Sequence, residues 1–89
     1  IALIVEALSD GGLSGGLQKQ LSEELVIEMI LGTVSLIRET NLTTAELKNR
    51  VTSPGGTTIS ALRVLESRSL RSALLEAVVS ASNRSKEFR

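Results

Sequence analysis

The stretch Thr52-Ser53-Pro54-Gly55-Gly56-Thr57-Thr58 carries four hydroxyl side chains, two glycines and the chain's only proline. Pro54 removes one backbone donor and fixes its own φ. Gly55 and Gly56 permit positive φ and let a ligand come close to the backbone. An apolar helical pattern, Ile59, Leu62 and Leu65, begins directly afterwards. The loop therefore empties into a helix N-terminus, where unpaired N–H groups and the helix dipole favour an anion. With no Lys or Arg inside it, the loop lacks the lysine that a P-loop places on phosphates. A singly charged carboxylate, held by N–H and O–H donors, suits it better. The same residues also make an ordinary sharp turn between two helices, and composition alone leaves both readings open.

The rest of the chemistry is defined by what the 89 residues lack. There is no Cys and no His, which removes disulfides, thiolates, the commonest metal ligand and the commonest general base. No cluster of metal ligands and no paired carboxylates stand out. Lys and Arg balance Asp and Glu, and Trp and Tyr are missing. Nucleic acid and anionic membrane thus have neither charge nor stacking surface to bind. Glu6 and Glu28 interrupt the richest apolar runs, so no stretch reaches the ~18 apolar residues of a membrane span. The N-terminal run also lacks the basic region of a signal peptide. Lack of cysteine fits a cytoplasmic location. The chain opens in mid-pattern at Ile1-Ala2-Leu3-Ile4 and reads as a piece of a longer protein.

These facts predict one all-α domain over residues 1–89, of about five helices. Residues 1–8 are apolar except Glu6. No other segment has strand character, so they read as the tail of a buried helix. Gly11, Gly12, Gly15 and Gly16 read either as a flexible connector or as helices packed so closely that only glycine fits, with Asp10 as a cap or turn residue. Thr43 and Glu46 have the spacing of a capping box, opening a short third helix that runs through Leu47 to about Val51. A fourth helix carries Ile59, Leu62 and Leu65 on one stripe, with Arg63 and Glu66 in solvent. Ser69 can cap a fifth, whose Leu70, Ala73, Leu74, Ala77, Val78 and Ala81 repeat at i, i+3/i+4. Leu75 and Val79 lie beside that stripe, where a partner could cover them.

The second helix, from about Gln18 to Thr40, sets the architecture. Stepping ~100° per residue from Leu25, Leu25, Met29 and Leu36 fall together, Val26, Ile30 and Ile37 fall ~100° further round, and Ile27, Leu31 and Val34 beyond those. The apolar arc covers about two-thirds of the circumference, where a surface helix shows little more than ~100°. Some 23 residues also span ~35 Å, while a compact chain of this size is only about 30 Å across. A second copy of the chain is the economical cover, in an intertwined homodimer built on Leu25, Val26, Met29, Ile30, Val34 and Ile37.

Several ordered strings then carry a resemblance. They are Glu6-Ala7-Leu8-x-Asp10-Gly11-Gly12, Gly16-Leu17, Leu31-Gly32, Glu46-Leu47-Lys48, Val51-Thr52-Ser53-Pro54-Gly55-Gly56-Thr57-Thr58-Ile59, Leu65-Glu66, Leu70-Arg71-x-Ala73-Leu74-x-Glu76-Ala77-Val78 and Arg84-Ser85-Lys86-Glu87. Together they closely resemble the C-terminal dimerisation domain of the pyrroline-5-carboxylate reductase family, a helical fold like the C-terminal domain of 6-phosphogluconate dehydrogenase. Three places depart from the family pattern. Gln18 stands where a proline is common, Leu42-Thr43-Thr44 where an aromatic or a His-Pro pair is common, and Arg68-Ser69 where a glycine-rich pair is usual.

The resemblance implies reduction of 1-pyrroline-5-carboxylate to L-proline in proline biosynthesis. NADPH or NADH would be bound by an N-terminal Rossmann domain that nothing here matches. It implies that the Thr52–Thr58 loop holds the substrate carboxylate. Backbone N–H groups would come from Ser53, Gly56 and Thr57, hydroxyls from Ser53 and Thr58, and shape from Thr52, Pro54 and Gly55. The implied partners are the substrate and a second copy of the chain, with dimers able to assemble further. The alternative is a non-catalytic dimerisation or regulatory module of a reductase-like paralogue. A third reading is another dehydrogenase acting on a different imine or keto acid.

Overall fold

The computed structural model describes residues 1–51 and 56–87. Five α-helices follow in order: α1 (Ala2–Ser14), α2 (Lys19–Glu39), α3 (Thr44–Val51), α4 (Thr57–Ser67) and α5 (Leu70–Glu87). No strand occurs among the described residues. The all-α expectation, its five helices and its one long helix therefore hold. Internal contacts divide the chain into two compact units, Ile1–Leu47 and Lys48–Arg89.

The first unit is built on a hairpin of α1 and α2. Gly11 and Gly12 are not a connector; they belong to the C-terminal part of α1, as does Asp10. The reversal itself falls on Gly15 and Gly16, where Gly16 takes φ 107°. Its N–H donates to the Leu13 carbonyl at 3.0 Å, and the Leu17 N–H reaches back to the Gly12 carbonyl at 3.0 Å.

The two helices come close together at Gly12 and Ser22. A methyl group on Gly12 would overlap Ser22 Oγ and lie 3.1 Å from Ser22 Cβ. Ser22 is 1% exposed, and its hydroxyl donates to the Ser9 carbonyl at 2.7 Å. The Ser9 hydroxyl turns back to the Val5 carbonyl, also at 2.7 Å. Both buried hydroxyls are thus satisfied, which removes the desolvation cost of placing them inside.

The cap of α3 has the geometry that its sequence implies. Glu46 N–H donates to Thr43 Oγ1 at 3.1 Å, and Thr43 N–H donates to Glu46 Oε1 at 3.3 Å. Two amides at the helix start are satisfied reciprocally.

In the second unit only Arg68 and Ser69 separate α4 from α5. Arg68 N–H closes on the Val64 carbonyl at 3.0 Å and Ser69 N–H on the Glu66 carbonyl at 3.1 Å. Ser69 then takes φ 60°, a left-handed conformation that costs an L residue energy and glycine almost none. The Ser69 carbonyl starts α5 by accepting from Ala73 N–H at 2.9 Å. Arg71 pairs with Glu66 at 3.3 Å across the turn, but both side chains are well exposed and add little stability.

Two variants test these contacts. Gly12→Ala should destabilise the fold by about 1–3 kcal/mol through overpacking, and adding Ser22→Gly should recover part of the loss; thermal melts of the single and double variants measure both. Ser69→Gly should stabilise by about 1 kcal/mol, read from the urea midpoint at unchanged slope.

Candidate functional site

Of the loop residues singled out for an anion, Thr52, Ser53 and Gly55 lie outside the described residues, as does Pro54. Gly56, Thr57 and Thr58 lie within them. Gly56 is the N-cap of α4 in the left-handed region, with φ 84° and ψ −13°. Its carbonyl accepts from Ser60 N–H at 3.0 Å, the first closed turn of the helix. The amides of Thr57, Thr58 and Ile59 precede that turn and have no acceptor within the helix. Thr57 is exposed and Thr58 half-buried. No Lys or Arg stands within this stretch, so its attraction for an anion comes from amides, hydroxyls and the helix dipole.

Residues singled out for an interface sit on α2. Ser22, Val26 and Ile30 form one i, i+4 row, and these are the buried or half-buried positions of the helix. The Ser22 contact to Ser9 and Gly12 puts that row against α1. The remaining apolar rows stay open. Leu25 is 51% exposed, Met29 52%, Leu31 57% and Val34 55%, with Ile27, Leu36 and Ile37 also exposed. Among the described residues the only buried hydrophobic side chain is Leu47. The aliphatic interior that the composition calls for is not assembled among the described residues.

The second unit repeats the pattern. On α5, Leu74, Leu75, Val78 and Val79 are all exposed, Val78 most of all at 70%. Both the stripe assigned to the chain's own packing and the one beside it face outward. The periodicity found the apolar stripes, but it does not say which neighbour covers them.

A groove between α1 and α2 is lined in part by Glu6, Ser9, Asp10, Lys19 and Glu23. It combines carboxylates with one ammonium and has no imidazole or thiol. Among the described residues no group of three or more potential ligands could hold a metal ion, and no helix is long and apolar enough to cross a membrane.

The structure therefore defines a class: an all-helical chain with a candidate anion-binding helix start and long apolar faces that its own residues leave open. The family model for pyrroline-5-carboxylate reductase dimerisation matches residues 1–88, and the chain belongs to that family. It is 48% identical to pyrroline-5-carboxylate reductase of Synechocystis sp. over 99% of this chain and 33% of that protein. It is 44% identical to the Glycine max reductase over 99% of this chain and 32% of that protein. Among solved structures, it superposes with a TM-score of 0.92 and 35% identity on Plasmodium falciparum pyrroline carboxylate reductase with NADP bound, covering 96% of this chain and 34% of that one. The chain spans about a third of the length of the curated relatives that it matches.

A Rossmann site needs a strand leading through a glycine-rich turn into a helix. The described residues contain no strand, so the chain's own elements do not fit that cofactor.

Proposed function

We propose that residues 1–89 are one helical dimerisation domain of a pyrroline-5-carboxylate reductase. They form the core of an intertwined homodimer and supply the substrate-carboxylate loop. The observation that carries this reading is the open face of α2. Leu21, Leu25, Ile27, Met29, Leu31, Val34, Leu36 and Ile37 are all exposed on it, more apolar surface than one neighbouring helix covers. Leu25 and Met29 lie on one flank of the arc and Val34 on the other, Ile37 is also exposed, and the Val26 and Ile30 row between the flanks meets α1. The name of the matching family points the same way.

In this reading Thr52, Ser53, Gly55, Gly56, Thr57 and Thr58 hold the carboxylate of pyrroline-5-carboxylate, or of proline. The left-handed Gly56 and the amides at the start of α4 support it. The reacting hydride comes from NADPH or NADH on a separate nucleotide-binding domain. The protein supplies position and electrostatics for that transfer. The parent enzyme works in proline biosynthesis in the cytoplasm, with dimers able to assemble further.

Two measurements test the proposal. Met29→Glu places a charge in the dimer face and should shift the chain to monomer in sedimentation equilibrium; Lys19→Glu, on the polar end of α2, should leave the dimer intact. In the full-length reductase, Thr58→Val should lower kcat/KM by about tenfold or more, mainly through KM, because a donor to a charged group is lost. Unchanged kinetics would remove Thr58 from the carboxylate site.

A further inference from the structure

Gly32 stands in the middle of α2 (Lys19–Glu39), where glycine costs about 1 kcal/mol relative to alanine. Nothing among the described residues explains it. A Cβ built on Gly32 meets no atom within 4 Å, and the backbone there is ordinary helix with negative φ. Gly12 differs, because its missing side chain is filled by Ser22. On the helix surface Gly32 sits three residues after Met29, four before Leu36 and seven after Leu25. All three of these side chains are exposed. Glu28, Ser35 and Glu39 border it on the other side. The missing side chain thus leaves a notch at the edge of the open apolar face, ringed on one side by large hydrophobics.

We infer that Gly32 is the point of closest approach between α2 and a second copy of this chain. The inference rests on the dimer reading above and adds to it the crossing point and the reason for a glycine there. Helices with ordinary side chains at their contact pack ~8–10 Å apart, and smaller residues allow the shorter distances. A glycine at the crossing lets the partner helix sink between Leu25, Met29 and Leu36. The second copy is the occupant because the notch is continuous with the face already assigned to self-association. A two-fold interface also presents the same notch from both sides.

The test is the dimer dissociation constant of Gly32→Ala beside that of the unmodified chain and of Ser35→Ala, with far-UV circular dichroism confirming helix content. In an isolated helix, alanine at position 32 can only help. At a crossing point the same methyl group overpacks the interface. Gly32→Ala should therefore weaken the dimer about tenfold or more at unchanged or higher helix content, and Gly32→Leu should weaken it further. Ser35→Ala, on the polar side, should leave the constant within about twofold. An unmodified chain that dimerises while Gly32→Ala dimerises equally well or better would overturn the crossing point and leave the dimer standing. An unmodified chain that stays monomeric would overturn both.

Discussion

One helix with too much apolar surface for its own chain governs this structure. Only the row Ser22, Val26 and Ile30 of α2 is covered at home, by α1, while Leu25, Met29, Leu31 and Val34 remain more than half exposed. Burying such side chains is the main favourable term in folding and association. A domain below 100 residues has little stability to spare. A chain that leaves this term unused in its protomer gains it by association. Association therefore becomes part of folding rather than an addition to it.

The contacts made within the chain are small and polar by comparison. Gly12, Ser22 and Ser9 fix the α1–α2 hairpin through one close approach and two hydrogen bonds at 2.7 Å. Small residues let the helices sit close at one point of that row, and the large side chains on its two flanks stay open. Inside the hairpin, serine and glycine make the close approach beside the half-buried Val26 and Ile30, while Leu25, Met29, Leu31 and Val34 stay outside it. The start of α4 proposed to hold a carboxylate is equally spare, since Gly56 and the first amides of the helix offer partial charges and no cation. Such a site suits a substrate held by one carboxylate while its reacting centre faces a cofactor carried elsewhere.

What the sequence made legible was local or periodic. Thr43 and Glu46 form a capping box that three residues of spacing suffice to define. The bounds of α2 and its over-wide apolar arc follow from a 3.6-residue repeat. What it hid depended on contacts between distant residues. Gly12 bears out close helix packing over a connector, but that Ser22, ten residues on, is what packs against it could not be read, since a lone serine inside a helix gives no sign of that role. Ser69 takes a left-handed φ that serine seldom adopts, so its sequence suggested a side-chain cap instead of a strained turn. At the candidate site, the character of Gly56, Thr57 and Thr58 was readable from residue type, whereas Thr52, Ser53 and Gly55 lie outside the described residues.

The most direct test of this account is the thermal unfolding midpoint of the unmodified chain, measured over a thousandfold range of protein concentration. Coupled folding and association require the midpoint to rise steadily with concentration, because mass action favours the dimer. A sharp transition at one temperature across the whole range would show that the chain folds as a stable monomer. That result would contradict the claim that α2 depends on a second copy for its cover.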